Sequence, residues 1–139
     1  MTTKQYIAAH GMPTVPLMGP SQSAAIRRCL RGEEGNWFRA RLNVIADRFR
    51  DMPKVYEQDG KGDDAIVYLH YFTGAGDWFI LERDTSEAQH QAFGLVQLNG
   101  PAELGYVSLV ELLACPGVEL DLHFEPMTLR DVRAKWFTP

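Results

Sequence analysis

The sequence predicts an α+β fold: a mostly antiparallel sheet over about residues 64–124, with helices packed on it and a helical arm in front. Two observations lead there. Apolar residues recur at helical spacing before about residue 53 and change to strand-like runs after about residue 64. The runs "AIVYLHYF" and "DWFILER" are joined by "TGAG", a connection short enough for a hairpin and too short for a parallel crossover.

Residues 2–10 suit a short helix, capped by Thr2 or Thr3 and stopped by Gly11. "GMPTVPLMGP" follows as an extended segment, because Pro13, Pro16 and Pro20 resist helix. A helix after Ser21 carries Ala25, Ile26, Cys29 and Leu30 on one side and Arg27, Arg28 and Arg31 on the other. A longer helix, about residues 36–50, has Phe38, Leu42, Ile45 and Phe49 as its apolar stripe and Pro53 beyond its end. "EQDGKGDD" has the composition of an exposed loop. This change of pattern divides the chain into a helical arm, residues 1–56, packed on the body, and an α+β core, residues 57–139.

"AIVYLHYF" is apolar on both faces, with Ile66, Tyr68 and Phe72 on one and Val67, Leu69 and Tyr71 on the other, which suits a strand covered on both sides. The glycines of "TGAGD" are expected to supply positive φ to a hairpin. They do not cradle a phosphate, since a strand-like run and not a helix follows. "QAFGLVQL" reads as a third strand. "SLVELLACPG" reads as a helix capped by Ser108, with Glu111 at the position of a capping box. "ELDLHFE" alternates, Leu120, Leu122 and Phe124 against Glu119, Asp121, His123 and Glu125, and "TLRDVRAKWF" closes the chain as a helix capped by Thr128.

The net charge of −4 conceals an asymmetry. Residues 21–56 carry eight basic and four acidic side chains, whereas residues 57–125 carry thirteen acids against Lys61 and Arg83. Such polarity fits two binding surfaces of opposite sign, or basic helices docked on an acidic body with internal pairing. No apolar run approaches the roughly 18–20 residues of a membrane helix, and "MTTKQYIAAHG" lacks the features of a secretory signal, so a cytoplasmic protein is expected. Cys29 and Cys115 lack metal-ligand spacing and read as buried free thiols. No cofactor or metal motif is present.

Four residues stand out as a binding set: Glu103, Tyr106, Asp121 and His123. Asp121 and His123, with Glu125, would share one face of a strand, a carboxylate–imidazole ladder able to bind a cation, to transfer protons, or simply to meet solvent. In "NGPAELGYVSLVEL", Glu103 and Tyr106 suit a binding lip. The structural alternative is a bend at Gly105, where the chain would leave the sheet and Tyr106 would bury its ring. His70, flanked by apolar residues, reads as a hydrogen-bonded core histidine. His10 and His90 read as exposed.

The segments "VYLHYFTGAGDWFILERD", "AFGLVQLNGPAELGYVSLVELL" and "VELDLHFEPMTLRDV" together resemble the domain of unknown function 2958 family over roughly residues 63–132, with E-L-G-Y-x-S-L the most specific part. The shared positions are Phe93, Gly94, Glu103, Leu104, Gly105, Tyr106, Ser108, Leu109, Glu111, Asp121 and Phe124; Gly74 replaces the proline of the family's turn. The resemblance implies a bacterial cytoplasmic protein carried by plasmids, phages and conjugative elements beside antirestriction genes. It implies no established reaction and no catalytic residues.

The leading expectation is therefore a non-enzymatic accessory protein of a mobile genetic element, binding a host or plasmid protein through an acidic surface. One alternative is nucleic-acid binding by Arg27, Arg28, Arg31, Arg39 and Arg41, with Trp37 available for stacking. Another is a small hydrolase or transferase using Glu103, Asp121 and His123.

Overall fold

A computed structural model describes residues 17–86 and 91–137. The expected helix at 2–10 and the histidines His10 and His90 lie outside the described residues. The elements are α1 (Pro20–Leu30), α2 (Gly35–Asp51), a 3-10 turn (Gly62–Asp64), β1 (Ile66–Val67), β2 (Leu69–Phe72), β3 (Gly76–Glu82), β4 (Gln91–Leu98), β5 (Glu103–Ser108), α3 (Leu109–Ala114), β6 (Glu119–Leu120), β7 (Met127–Thr128) and α4 (Leu129–Trp136).

The fold is α+β. A five-stranded antiparallel sheet has the order β5-β4-β3-β2-β6, and β1 pairs with β7 in a small separate sheet. Alternation along the strands sends side chains into two cores. Leu69, Tyr71, Ile80, Ala92 and Val107 join Ile26, Leu30, Leu42, Ile45 and Phe49 of α1 and α2 in the larger core. Phe79, Leu81 and Leu95 join Val67, Phe124, Leu129 and Val132 on the opposite face. The central strands are thus covered on both sides, and the two N-terminal helices share the core of the sheet.

The hairpin β2–β3 forms as its sequence suggests, with Phe72 opposite Asp77. Its glycines act differently from expectation, because neither Gly74 nor Gly76 has a left-handed φ. The Thr73 hydroxyl holds the turn by accepting from the amides of Ala75 (3.0 Å) and Gly76 (3.1 Å). Gly76 is small because β4 passes close by: a Cβ there would lie 2.8 Å from the Gln97 carbonyl oxygen.

The expected continuous strand 65–72 is interrupted at Tyr68. Val67 consequently belongs to the core opposite Leu69 and Tyr71, not beside them. The alternating strand expected over 119–125 also ends early, at Leu120. Guanidinium groups of α2 replace a neighbouring strand there: Arg41 donates to the carbonyls of Leu122 and Phe124, and Arg48 donates to Phe124 (2.9 Å). Arg41 also pairs with Glu125 at 2.7 Å, so part of the basic charge docks on the acidic body. Ser108 and Thr128 cap α3 and α4 by accepting from the Glu111 and Asp131 amides. Cys29 is half-buried and Cys115 exposed, which corrects the expectation of two buried thiols; Cys115 lies just past the end of α3.

Candidate functional site

The Pro53–Gly60 segment, on the chain between α2 and the main sheet, is drawn onto the end of β3. Arg83 donates its amide to the Pro53 carbonyl, and Val55 donates to the Arg83 carbonyl, both at 2.9 Å. The buried Glu82 carboxylate then accepts the backbone N–H groups of Tyr56 (2.8 Å) and Gln58 (3.1 Å). The buried Gln58 amide ties the loop to the Ile66 and Leu81 carbonyls and accepts the Ile66 N–H. Buried polar groups paired this completely fix a loop firmly.

The loop presents Tyr56 with φ 78°, in the left-handed region that bulky residues seldom enter. Its ring is 64% exposed, and its hydroxyl shares a hydrogen bond with the Tyr106 hydroxyl at 2.8 Å. That bond, with the nearby Asp59 and Glu82 carboxylates, holds the Tyr106 phenol above its ordinary pKa. Tyr106 rests edge-on against Phe93, with ring centroids 5.5 Å apart. The result is an exposed aromatic shelf at the rim of the sheet.

Tyr106 lies on β5, and β5 is an edge strand. Leu104 and Tyr106 project from one face of it and are about half exposed; Glu103 projects from the other. Val110 in α3 is also exposed, as is Leu98, which lies on the face of Val96 and Glu103. Gly105 lies within the strand opposite Gly94, has no positive φ, and has open space where a Cβ would stand. The expected bend at Gly105 and the expected burial of Tyr106 are both corrected: the strand runs on to Ser108, and its pairing with β4 keeps residues 104 and 106 on a face that no described helix covers at the rim. The close approach expected of Gly105 occurs at Gly94, where a Cβ would run into the Phe79 carbonyl.

Asp121 and His123 are not part of this rim. Asp121 sits beside β6, at the opposite edge of the sheet, so four strand spacings of ~4.8 Å separate it from Glu103. At roughly 19 Å the two cannot serve one reacting group, and the hydrolase constellation of Glu103, Asp121 and His123 is not assembled. Asp121 instead meets His70. The His70 ring nitrogens lie 2.9 Å from Asp121 Oδ2 and 2.7 Å from Asp77 Oδ1. Both ring nitrogens are thus engaged by carboxylate oxygens. The ring is buried and stacks on Phe79 at 4.4 Å, with planes 3° apart. The hydrogen bond with His70 holds the Asp121 carboxyl below its ordinary pKa, against the opposing effect of partial burial. This cluster ties β6 to β2 and β3. His123 is exposed and lies against Trp37, with centroids 5.3 Å apart.

The arginine set is divided as well. Arg39 donates to the Leu30 carbonyl (2.8 Å), and Arg41 is committed to Leu122, Phe124 and Glu125. Arg27, Arg28 and Arg31 remain exposed on and just after α1. Among the described residues no group of three or more side chains could hold a metal ion, and no helix is long and apolar enough to cross a membrane.

The sequence reading singled out Glu103 and Tyr106 but not Tyr56, which the fold brings beside Tyr106. The only local signal was the turn-rich "EQDG" that follows it; its meeting with Tyr106 needs the β3 and β5 partners. Between residues 84 and 129 the chain has seven acidic residues and no Lys or Arg, so β4, β5 and α3 carry no basic side chain.

A family model described as a protein of unknown function (DUF2958) matches residues 42–134, two thirds of the chain. The match runs from within α2 through most of α4 and includes the whole rim. No curated protein and no solved structure matches.

Proposed function

The chain belongs to the DUF2958 family, and from its open, acidic sheet edge we propose that it is a non-enzymatic binding protein that engages a protein partner through the surface around β5. One observation carries this reading. Leu104 and Tyr106 are exposed on an edge strand within residues 84–129, a stretch with acids and no bases, and Tyr56 stands beside them from the Pro53–Gly60 loop. Apolar side chains exposed together favour association, and a field of one sign steers and selects a partner of the other. The setting implied by the family resemblance makes that partner a host or element-encoded protein and its use a counter-defence or antirestriction role.

The test is retention of partners from a host lysate at low and at moderate salt. The wild type and Glu33→Lys, a charge reversal in the turn between α1 and α2, should hold the same partner. Glu103→Lys/Glu111→Lys should lose it while melting at the wild-type temperature. Retention of that partner by the double variant sinks the reading, and so does a wild type that retains nothing at either salt.

A further inference from the structure

The two edges of the main sheet differ. β6 has two residues, which is one of the ways in which proteins blunt an edge. β5 has six, pairs with β4 in unbroken register from Ser108 to Glu103, and contains no Lys, Pro or bulge. Its outer N–H and C=O groups have no strand beside them among the described residues. Long, regular, unprotected edges invite pairing and are costly to keep unless pairing is their use.

Building on the acidic-surface reading, we infer that a different protein supplies an extended segment that adds to β5 as a sixth strand, with apolar residues beside Leu104 and Tyr106 alternating with basic residues beside Glu103. The alternation follows from the period of two. Leu104 and Tyr106 share a face with Phe93, whereas Glu103 looks to the other. Tyr56 widens the apolar face, held there by its hydroxyl contact and by the Glu82 clamp on its amide. Strain of this kind persists where the surroundings over-determine it, here by two buried hydrogen-bonded side chains. Charge decides between a basic segment and a second copy. Pairing β5 with itself would bring together two edges bearing Glu103 and Glu111 with no cation from residues 84–129 to offset them.

The probe is a capped peptide of alternating lysine and valine, about eight residues long, the length of an ordinary strand. It is titrated into the full-length isotope-labelled protein at low salt, with amide exchange and nuclear Overhauser contacts as the readout. The expected result is saturable binding, slowed exchange at β5 amides that exchange freely in the absence of peptide, and cross-strand contacts between peptide α-protons and β5. Leu104→Lys should weaken binding on the order of tenfold, about 1.4 kcal/mol, with an unchanged melting temperature. Saturable binding that moves only Glu103 and Glu111, with β5 amides still fast, overturns strand addition and leaves the acidic-surface reading standing. No saturable binding overturns strand addition too, and the lysate experiment then judges the surface independently. Protection of β5 before peptide is added also overturns it: dependence on protein concentration would assign the edge to a second copy, and loss on deleting residues 1–16 would assign it to the chain's own N-terminus.

Discussion

The hydroxyls of Tyr56 and Tyr106 meet at 2.8 Å although fifty positions separate them in the chain. One ring comes from a loop clamped by Glu82, the other from the edge strand. The energetic roles of the two differ. Tyr56 occupies a left-handed backbone at φ 78°, which Asn tolerates far better than Tyr. Tyr56→Asn should therefore raise stability by on the order of 1 kcal/mol, read as a higher denaturant midpoint, while weakening retention of the partner. A lower midpoint would show that the ring contributes more to folding than its backbone costs.

Tyr106→Phe keeps the ring against Phe93 and removes an exposed hydroxyl. Its cost should stay below about 1 kcal/mol, and partner retention should survive. Tyr106→Lys should melt near the wild-type temperature and lose the partner, since it places a cation and removes the aromatic surface at the rim. Calorimetry with the lysate assay checks both.

Gly94 and Gly105 face each other across β4 and β5 but differ in surroundings. Any Cβ on Gly94 meets the Phe79 carbonyl, and the neighbour is backbone that cannot move aside. Gly94→Ala should cost about 3 kcal/mol or more. Gly105→Ala meets nothing within 4 Å and should be neutral or stabilising by about 0.5–1 kcal/mol. Urea titrations of the two variants decide the matter, and equal losses would contradict the sheet register.

The Asp121 carboxyl is held below its ordinary value of 3.8 by His70. Its contribution to stability is present above that value and is lost as pH falls through the lower folded value, because the unfolded state binds the proton first. The acid limb of stability should thus steepen below about pH 4. Asp121→Asn should flatten that part of the limb in urea unfolding followed from pH 6 to pH 2. An unchanged limb would mean that Asp121 is not engaged with His70 in solution.

Trp78 is half-buried against the larger core, and Trp37 is 43% exposed near the start of α2. Acrylamide should quench a protein retaining only Trp37 more readily than one retaining only Trp78. The reverse order would dispute the placement of β3.

Local pattern was enough for much of the fold. The hairpin at 69–82, the caps at Ser108 and Thr128, and the span of α2 depend on neighbours a few residues away, and the sequence of those neighbours announces them. The family was legible for the same reason, through runs such as "ELGYVSL" whose residues stay together in β5 and α3. Glu103 and Tyr106 were visible as polar and aromatic residues in such a run. Tertiary structure decided the rest. Only the pairing of β4 with β3 makes Gly94 the crowded glycine, since the crowding atom belongs to Phe79, and only the edge position of β5 leaves Gly105 free. Only the strand order sends Asp121 to one edge and Glu103 to the other. Only the Glu82 clamp turns Tyr56 toward Tyr106. Each of these is a contact between segments far apart in sequence, and periodicity describes which side a residue faces without saying what lies opposite.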